Sequence, residues 1–246
     1  MARILAIDWD RLEARMIVAR TQGESVQIDS VATVALELDA QESNLTGLNE
    51  QLKKALGQQR FPRCQSLAAI GRSQVELRIL KLPPAPEDEL PDLVRFQALR
   101  EFSALDEASP LDFVPLGDVG AEAGEVMAAS ISSDLANQLK DALTSAGHEP
   151  SRMILRPCAA TSLALRRCER ARSGVTLVIA QLADSAEVAI AKDGMVVFTR
   201  SFRLPPNWHA GESGEPLVGE VRRTIAAAQN QLGGSRVEHI VFFGTP

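Results

Sequence analysis

Apolar and polar residues alternate along this chain in two different rhythms, and the switches between them mark out its elements. Ile4 to Ile7 and Ala14 to Ala19 are apolar runs of the kind that form buried strands, separated by the polar turn Asp8-Trp9-Asp10-Arg11. After Gly23, Val26 to Leu38 alternates as a third strand, so the chain is expected to open with a three-stranded meander. Leu45, Leu48, Leu52 and Leu56 then fall at helical spacing and predict an amphipathic helix, and Leu67 to Gly71 predicts a short buried strand.

Val75 to Leu82 reads as a strand that runs into Lys81-Leu82-Pro83-Pro84-Ala85-Pro86, a stretch no helix interior or central strand accommodates. A helix is predicted from Pro86 or Glu87, with Glu87, Asp88 and Glu89 complementing its dipole and Leu90, Leu93, Val94, Ala98 and Phe102 as its apolar positions. Leu111 to Leu116 and Val126 to Ile131 follow as strands around a loop holding Gly117, Gly120 and Gly124. A helix capped by Ser132 or Ser133 runs to Ala146, with Leu135, Leu139, Ala142 and Leu143 on one face and Gly147 as its stop. A short strand, Met153 to Leu155, leads into a helix that starts at Arg156-Pro157 and lasts to about Arg170.

The second half repeats the opening. Thr176 to Gln181, Glu187 to Ala191 and Val196 to Phe202 are three strands, followed by a polar loop from Pro205 to Pro216. A helix from Leu217 to Leu232 stops at Gly233-Gly234, and Val237 to Phe243 is the last strand. Three strands, a helix and a strand thus occur twice. The expected division is 1–155, with an inserted subdomain at about 72–131, and 156–246.

Composition narrows the function. With 246 residues and 45% apolar content the chain can bury a sizeable core. A net charge of -6 leaves no electrostatic footprint for nucleic acid or an anionic membrane surface. Cys64, Cys158 and Cys168 form no C-x-x-C pair, and His148, His209 and His239 are scattered, which supports neither a disulfide framework nor a zinc site. No leader-like start and no run of about 18 apolar residues occurs, so the chain reads as cytoplasmic without direct membrane insertion. Neither the G-x-S-x-G elbow, the dinucleotide fingerprint nor the Walker loop is present.

Three segments, in order, resemble the actin-like ATPase superfamily, and within it the type IV pilus assembly family PilM and the cytoplasmic domain of the type II secretion family GspL. They are Ile4 to Arg15, at the place of the family's first phosphate loop; Arg78 to Leu90, continuing to Val94 to Ala98, similar to its R-x-x-x-L-P segment, acidic helix start and V-x-x-E-A helix; and Gly194 to Arg200 with Val218 to Arg223, similar to its Thr-Arg strand and E-I-R-R helix. The resemblance implies an α/β architecture: a duplicated actin-like (ribonuclease H-like) fold of two mixed-sheet subdomains, with a small inserted subdomain in the first half. It also implies an adenosine loop and closing helix after Phe243, where only Gly244-Thr245-Pro246 remain, so the second half is expected to be truncated.

Against that pattern the phosphate loops depart. Glycine in an Asp-x-Gly turn lets backbone approach phosphate closely, and here Asp10 stands at that position, adding bulk and negative charge. Arg15 keeps a cation where Lys is common in the family. In the second loop Gln181 and Ala183 replace the Asp and Gly, and Gly244 is what remains of the third element. Asp8 and Asp10 read either as a two-carboxylate magnesium site or as a polar turn that needs no ligand. Glu220 reads as a helix residue near a nucleotide or as a solvated one. Leu82, Pro83, Pro84, Leu90, Val94 and Phe96 are candidates for a partner-binding wall, against the plain alternative that an inserted subdomain packs there against the main core. Trp208 stands between a loop anchor and a partly buried loop residue.

These readings lead to a non-catalytic scaffold that binds no cofactor and is held at the inner membrane by the cytoplasmic tail of a bitopic protein, or by a segment beyond residue 246. A motor ATPase and a second copy are the further partners the resemblance implies. The alternatives are an ATP-binding protein of the same fold, using Asp8, Asp10 and Arg15 with Mg²⁺, and a polymerising division scaffold.

Overall fold

A computed structural model describes residues 2–23, 25–36, 46–59, 61–117, 124–205 and 214–244. In chain order its elements are β1 (Ala2–Trp9), β2 (Glu13–Gln22), β3 (Ser25–Ala35), α1 (Thr46–Gln58), β4 (Gln65–Ile70), β5 (Glu76–Leu82), α2 (Leu90–Glu101), β6 (Leu111–Pro115), β7 (Gly124–Ser130), α3 (Ser133–Ser145), β8 (Glu149–Leu155), α4 (Arg156–Arg167), β9 (Val175–Gln181), β10 (Ser185–Lys192), β11 (Met195–Arg203), α5 (Glu215–Ala227), α6 (Gln229–Leu232) and β12 (His239–Phe243). They form two compact units: Met1–Gly71 with Ser133–Arg156, and Arg72–Ser132 with Pro157–Pro246.

The first unit is a five-stranded sheet in the order β3-β2-β1-β4-β8. β1 runs antiparallel to β2 and parallel to β4, and β4 runs parallel to β8. Because side chains alternate along a strand, Leu5, Ile7 and Trp9 fall on one face of β1 and meet Val18, Met16 and Ala14 directly across in β2. All six are buried. α1 packs beside α3 over this face, and Ile7, Trp9, Leu52, Leu56, Leu139 and Leu143 surround a small apolar cavity. A bulge leaves Asp29 as the extra residue of β3, since Val18 pairs with Ser30 while Ala19 pairs with Ile28. The extra residue keeps Ile28 and Val31 on one face, opposite Ala19 and Ile17, where both are exposed. Asp29 itself is held by Arg20 at 2.8 Å and Arg3 at 3.4 Å.

The second unit contains two sheets. In the inserted segment, β5, β7 and β6 form an antiparallel sheet in that order. Leu80, Leu82, Val126 and Ala128 on its inner face pack against Leu90, Val94, Ala98 and Phe102 of the α2 segment. The other sheet has the order β11-β10-β9-β12, with β9 antiparallel to β10 and parallel to β12. Leu177, Ile179, Val188 and Ile190 make its core with Ala228 and Leu232, and Val221 and Ile225 of α5 pack against them.

The strand order β11-β10-β9-β12 reproduces β3-β2-β1-β4, so the duplication predicted from the pattern is present in the topology. Among the described residues, α3 and β8 have no counterpart in the second unit. Ile240 and Phe242 of β12 pair with the buried Leu177 and Ile179 yet are themselves exposed.

Boundaries shift where pairing or capping overrides periodicity. β8 begins at Glu149, ahead of the predicted Met153, because Glu149 pairs with Gln65 of β4. The helix expected from Pro86 or Glu87 is a 3-10 turn over Glu87–Glu89 before α2, with a proline in the first helical turn that lacks the N–H for an earlier helical bond. The helix expected up to Arg170 ends at Arg167, and a second 3-10 turn, Glu169–Arg172, follows. The helix expected from Leu217 to Leu232 divides at Ala228 into α5 and α6. Leu45, Gly120, Trp208, His209, Thr245 and Pro246 lie outside the described residues.

Truncation of Leu177, fully buried in the second sheet, is expected to cost about 2–5 kcal/mol as Leu177→Ala. Ile28→Lys on the exposed edge of the first sheet should stay within about 0.5 kcal/mol of wild type. Urea unfolding of both variants measures the contrast.

Candidate functional site

The turn after β1 is built by strand register. Asp8 pairs with Arg15 across β1 and β2, which sets the two side chains next to each other on the same face of the sheet. The Arg15 guanidinium donates from Nε to Asp8 Oδ2 at 2.9 Å and lies 2.8 Å from the same oxygen through Nη2. Its Nη1 donates to Asp10 Oδ2 at 2.8 Å and to Glu13 Oε1 at 2.7 Å. From the start of α4, Arg156 donates through Nε to Asp8 Oδ1 and through Nη2 to the Trp9 carbonyl. Asp8 is therefore held by a guanidinium at each carboxylate oxygen.

Asp10 closes the turn on itself. Its Oδ1 accepts the Leu12 N–H at 2.8 Å and the Glu13 N–H at 3.0 Å, while its own N–H donates to the Glu13 carbonyl at 3.0 Å. This is the arrangement by which an aspartate side chain satisfies the backbone two and three residues on. Burial pulls the Asp10 carboxyl upward, but the Leu12 N–H, Arg15 and the Glu13 N–H outweigh it and hold the group below its ordinary value of 3.8. For Arg15 burial favours loss of the proton, and the carboxylates of Asp8, Asp10 and Glu13 more than reverse that, raising it further. Main-chain N–H groups do converge in this turn, and the anion they converge on is the protein's own carboxylate. Among the described residues, no group of three or more His, Cys, Asp or Glu is arranged to hold a metal ion.

The second-half candidates lie on the other unit. Gln181 ends β9, and the turn Leu182 to Asp184 is closed by the Leu182 N–H donating to the Ser185 carbonyl at 2.8 Å, with Ala183 exposed at its tip. Gly244 follows β12, whose Phe243 pairs with Ala180, so it comes beside Gln181. A Cβ on Gly244 would stand 2.5 Å from Gln181 Oε1, so the missing side chain leaves room for the glutamine amide. Glu220 of α5 is paired on both oxygens: Oε2 accepts from Arg200 Nη2 of β11 at 3.2 Å, and Oε1 accepts from Arg223 Nη2. It ties the helix to the sheet.

The proposed partner wall is corrected in part. Leu82, Leu90 and Val94 are buried in the core of the inserted segment and present no surface to a partner. Helical periodicity is the reason: positions 90, 94 and 98 of α2 face the sheet, which turns Phe96, Leu99 and Arg100 outward. Phe96 is 61% exposed, with the Arg100 guanidinium 5.9 Å from its ring centroid. Pro83 and Pro84 are exposed as well. Arg156 went unrecognised as a site residue in the sequence, where it reads only as the first residue of a helix. It reaches Asp8 across 148 positions, a separation that no local pattern reports.

The architecture, two sheets of the same strand order with an inserted subdomain, is the actin-like ATPase fold. No family model and no curated protein sequence matches the chain. Solved structures do. The PilM-PilN type IV pilus biogenesis complex aligns with a TM-score of 0.68 and 19% identity over 94% of this chain and 72% of that one. The cytoplasmic domain of EpsL, an inner membrane component of the type II secretion system of Vibrio cholerae, aligns at 0.55 with 13% identity over 84% and 73%. A protein of unknown function with an actin-like ATPase fold from Bacteroides thetaiotaomicron aligns at 0.51 with 10% identity over 98% and 90%. At these identities the likeness establishes the fold.

The lowered Asp10 pKa has a defined pH signature. A carboxyl whose folded pKa lies below its unfolded one contributes stability that is complete above the unfolded value and is lost as pH falls through the folded value. Wild type should therefore exceed Asp10→Asn by about 1 kcal/mol at neutral pH. The gap should hold down to about pH 4 and close below it, read from urea unfolding at stepped pH.

Proposed function

We propose that this chain is a non-catalytic actin-like scaffold of an inner-membrane assembly platform, of the type IV pilus or type II secretion kind, that binds the cytoplasmic tail of a membrane partner. The observation that carries the non-catalytic reading is the Asp10 carboxylate seated on the Leu12 and Glu13 N–H groups. A polyphosphate arriving there would meet a negative charge in place of free donors, because the turn's N–H groups already have their anion. Arg15 and Arg156 add to this, since their guanidinium groups are spent on Asp8, Asp10, Glu13 and the Trp9 carbonyl.

The platform reading draws on the likeness to the PilM-PilN type IV pilus biogenesis complex and to the cytoplasmic domain of EpsL, an inner membrane component of a type II secretion system. Among the described residues no helix is long and apolar enough to cross a membrane, so attachment through a partner suits this chain. The contact we assign to that partner is the outward side of the inserted segment, Pro83, Pro84, Phe96 and Leu99. There a stiff proline stretch lies in sequence just ahead of an exposed aromatic ring and leucine on α2.

Calorimetry with ATP and Mg²⁺ at millimolar concentrations is expected to give no binding heat. Micromolar affinity with phosphate release would overturn the non-catalytic reading. For the partner surface, Phe96→Asp should weaken binding of a peptide from the cytoplasmic tail of a bitopic inner-membrane protein of such a platform by about tenfold or more. Its unfolding free energy should move by less than about 0.5 kcal/mol, because the ring is exposed.

A further inference from the structure

The inserted segment leaves the first unit at Gly71 and returns at Ser133, so in sequence it belongs to the first half. Its first residue is nevertheless bound to the second half's sheet. The Arg72 N–H donates to Glu187 Oε1 of β10 at 2.8 Å, and the Arg72 guanidinium donates from Nε to the Thr199 carbonyl of β11 at 3.4 Å and from Nη1 to the Val75 carbonyl at 2.7 Å. The short 3-10 turn Arg72–Gln74 packs against β11.

Glu187 is an unusual residue for its position. It is the one charged member of the buried run Ala186 to Ala191, and only 3% of it is exposed. Ala186, Val188 and Ile190 point to the α5 side, so Glu187 projects from the opposite face of the sheet. A carboxylate in such a place is costly unless hydrogen-bonded, and an apolar residue of similar size would cost the strand nothing. One thing it does that a hydrocarbon cannot is to accept a backbone N–H at the root of the insertion.

We propose that Glu187 is the fastening that joins Arg72–Ser132 to the second half's sheet, so that the insertion and the second half open and move as one body. This inference does not depend on the scaffold reading. If both hold, a partner on the Phe96 surface is mechanically coupled to the second half.

Hydrogen exchange on the full chain, followed by mass spectrometry in low denaturant, tests it. In wild type, amides of β5 and β7 should share one opening with those of β9 and β10. In Glu187→Ala, residues 72–76 should exchange about tenfold faster or more, with β5 and β7 opening ahead of β9 and β10 and with β1 and β2 unchanged. Glu187→Gln keeps an acceptor and should give a smaller acceleration of the same pattern. Arg72→Ala, which keeps the N–H and loses the guanidinium, should accelerate the amides of Val75 and Glu76 several-fold, and with Glu187→Gln it carries the test if Glu187→Ala does not fold. Independent opening of the insertion in wild type, unchanged protection of 72–76 in the variants, or an equal acceleration in β1 and β2 would each overturn the proposal.

Discussion

Each unit grows outward from a strand hydrogen-bonded on both edges, and the rest of the molecule is arranged around that requirement. β1 has an antiparallel partner on one side and a parallel one on the other, and β9 has the same pair of neighbours. An antiparallel neighbour is reached by a tight turn, whereas a parallel one needs a crossover, which is why a helix separates β3 from β4 and β11 from β12. The candidate residues sit where these central strands end: Asp8 near the end of β1, Gln181 at the end of β9 and Gly244 just past the end of β12. Register does the rest. A slip of one residue between β1 and β2 would carry Arg15 to the helix-covered face and leave Asp8 without its partner, so the burial of Leu5, Ile7 and Trp9 indirectly holds the ion pair in place.

The charged turn is better understood as a device of conformation than of stability. Partly exposed ion pairs contribute little each. Here, however, three carboxylates are bound by two arginines, and Asp10 also caps two main-chain N–H groups. In that network the main-chain N–H groups of Leu12 and Glu13 have an anion supplied from within the turn. Arg156, from the far end of the first unit's sequence, adds a second guanidinium against the three carboxylates.

The inserted segment shows the same logic on an apolar scale. α2 carries enough hydrophobic residues to cover its sheet and still leave Phe96 and Leu99 outside. Its core is closed by its own residues, and Arg72 binds its root to β10 and β11 through a backbone amide and a guanidinium.

The strand and helix order, the duplication and the proline break were legible from the pattern alone, because burial on a strand or helix face repeats every two or about 3.6 residues and leaves its period in the sequence. Asp10, at the place where the resemblance implies glycine, was legible too. What Asp10 does there was not, since the destination of its oxygens depends on how the turn closes. The inward or outward side of α2 was only half legible: the period of Leu90, Val94 and Ala98 was visible, but their burial depended on the sheet made when β5 pairs with β7, Leu82 with Gly124 and Glu76 with Ser130. Arg156 on Asp8, Glu187 on Arg72 and Glu220 between Arg200 and Arg223 belong wholly to the tertiary structure. Periodicity is a local property of neighbours in the chain, whereas a charge finds its partner only after the strands that carry both have paired.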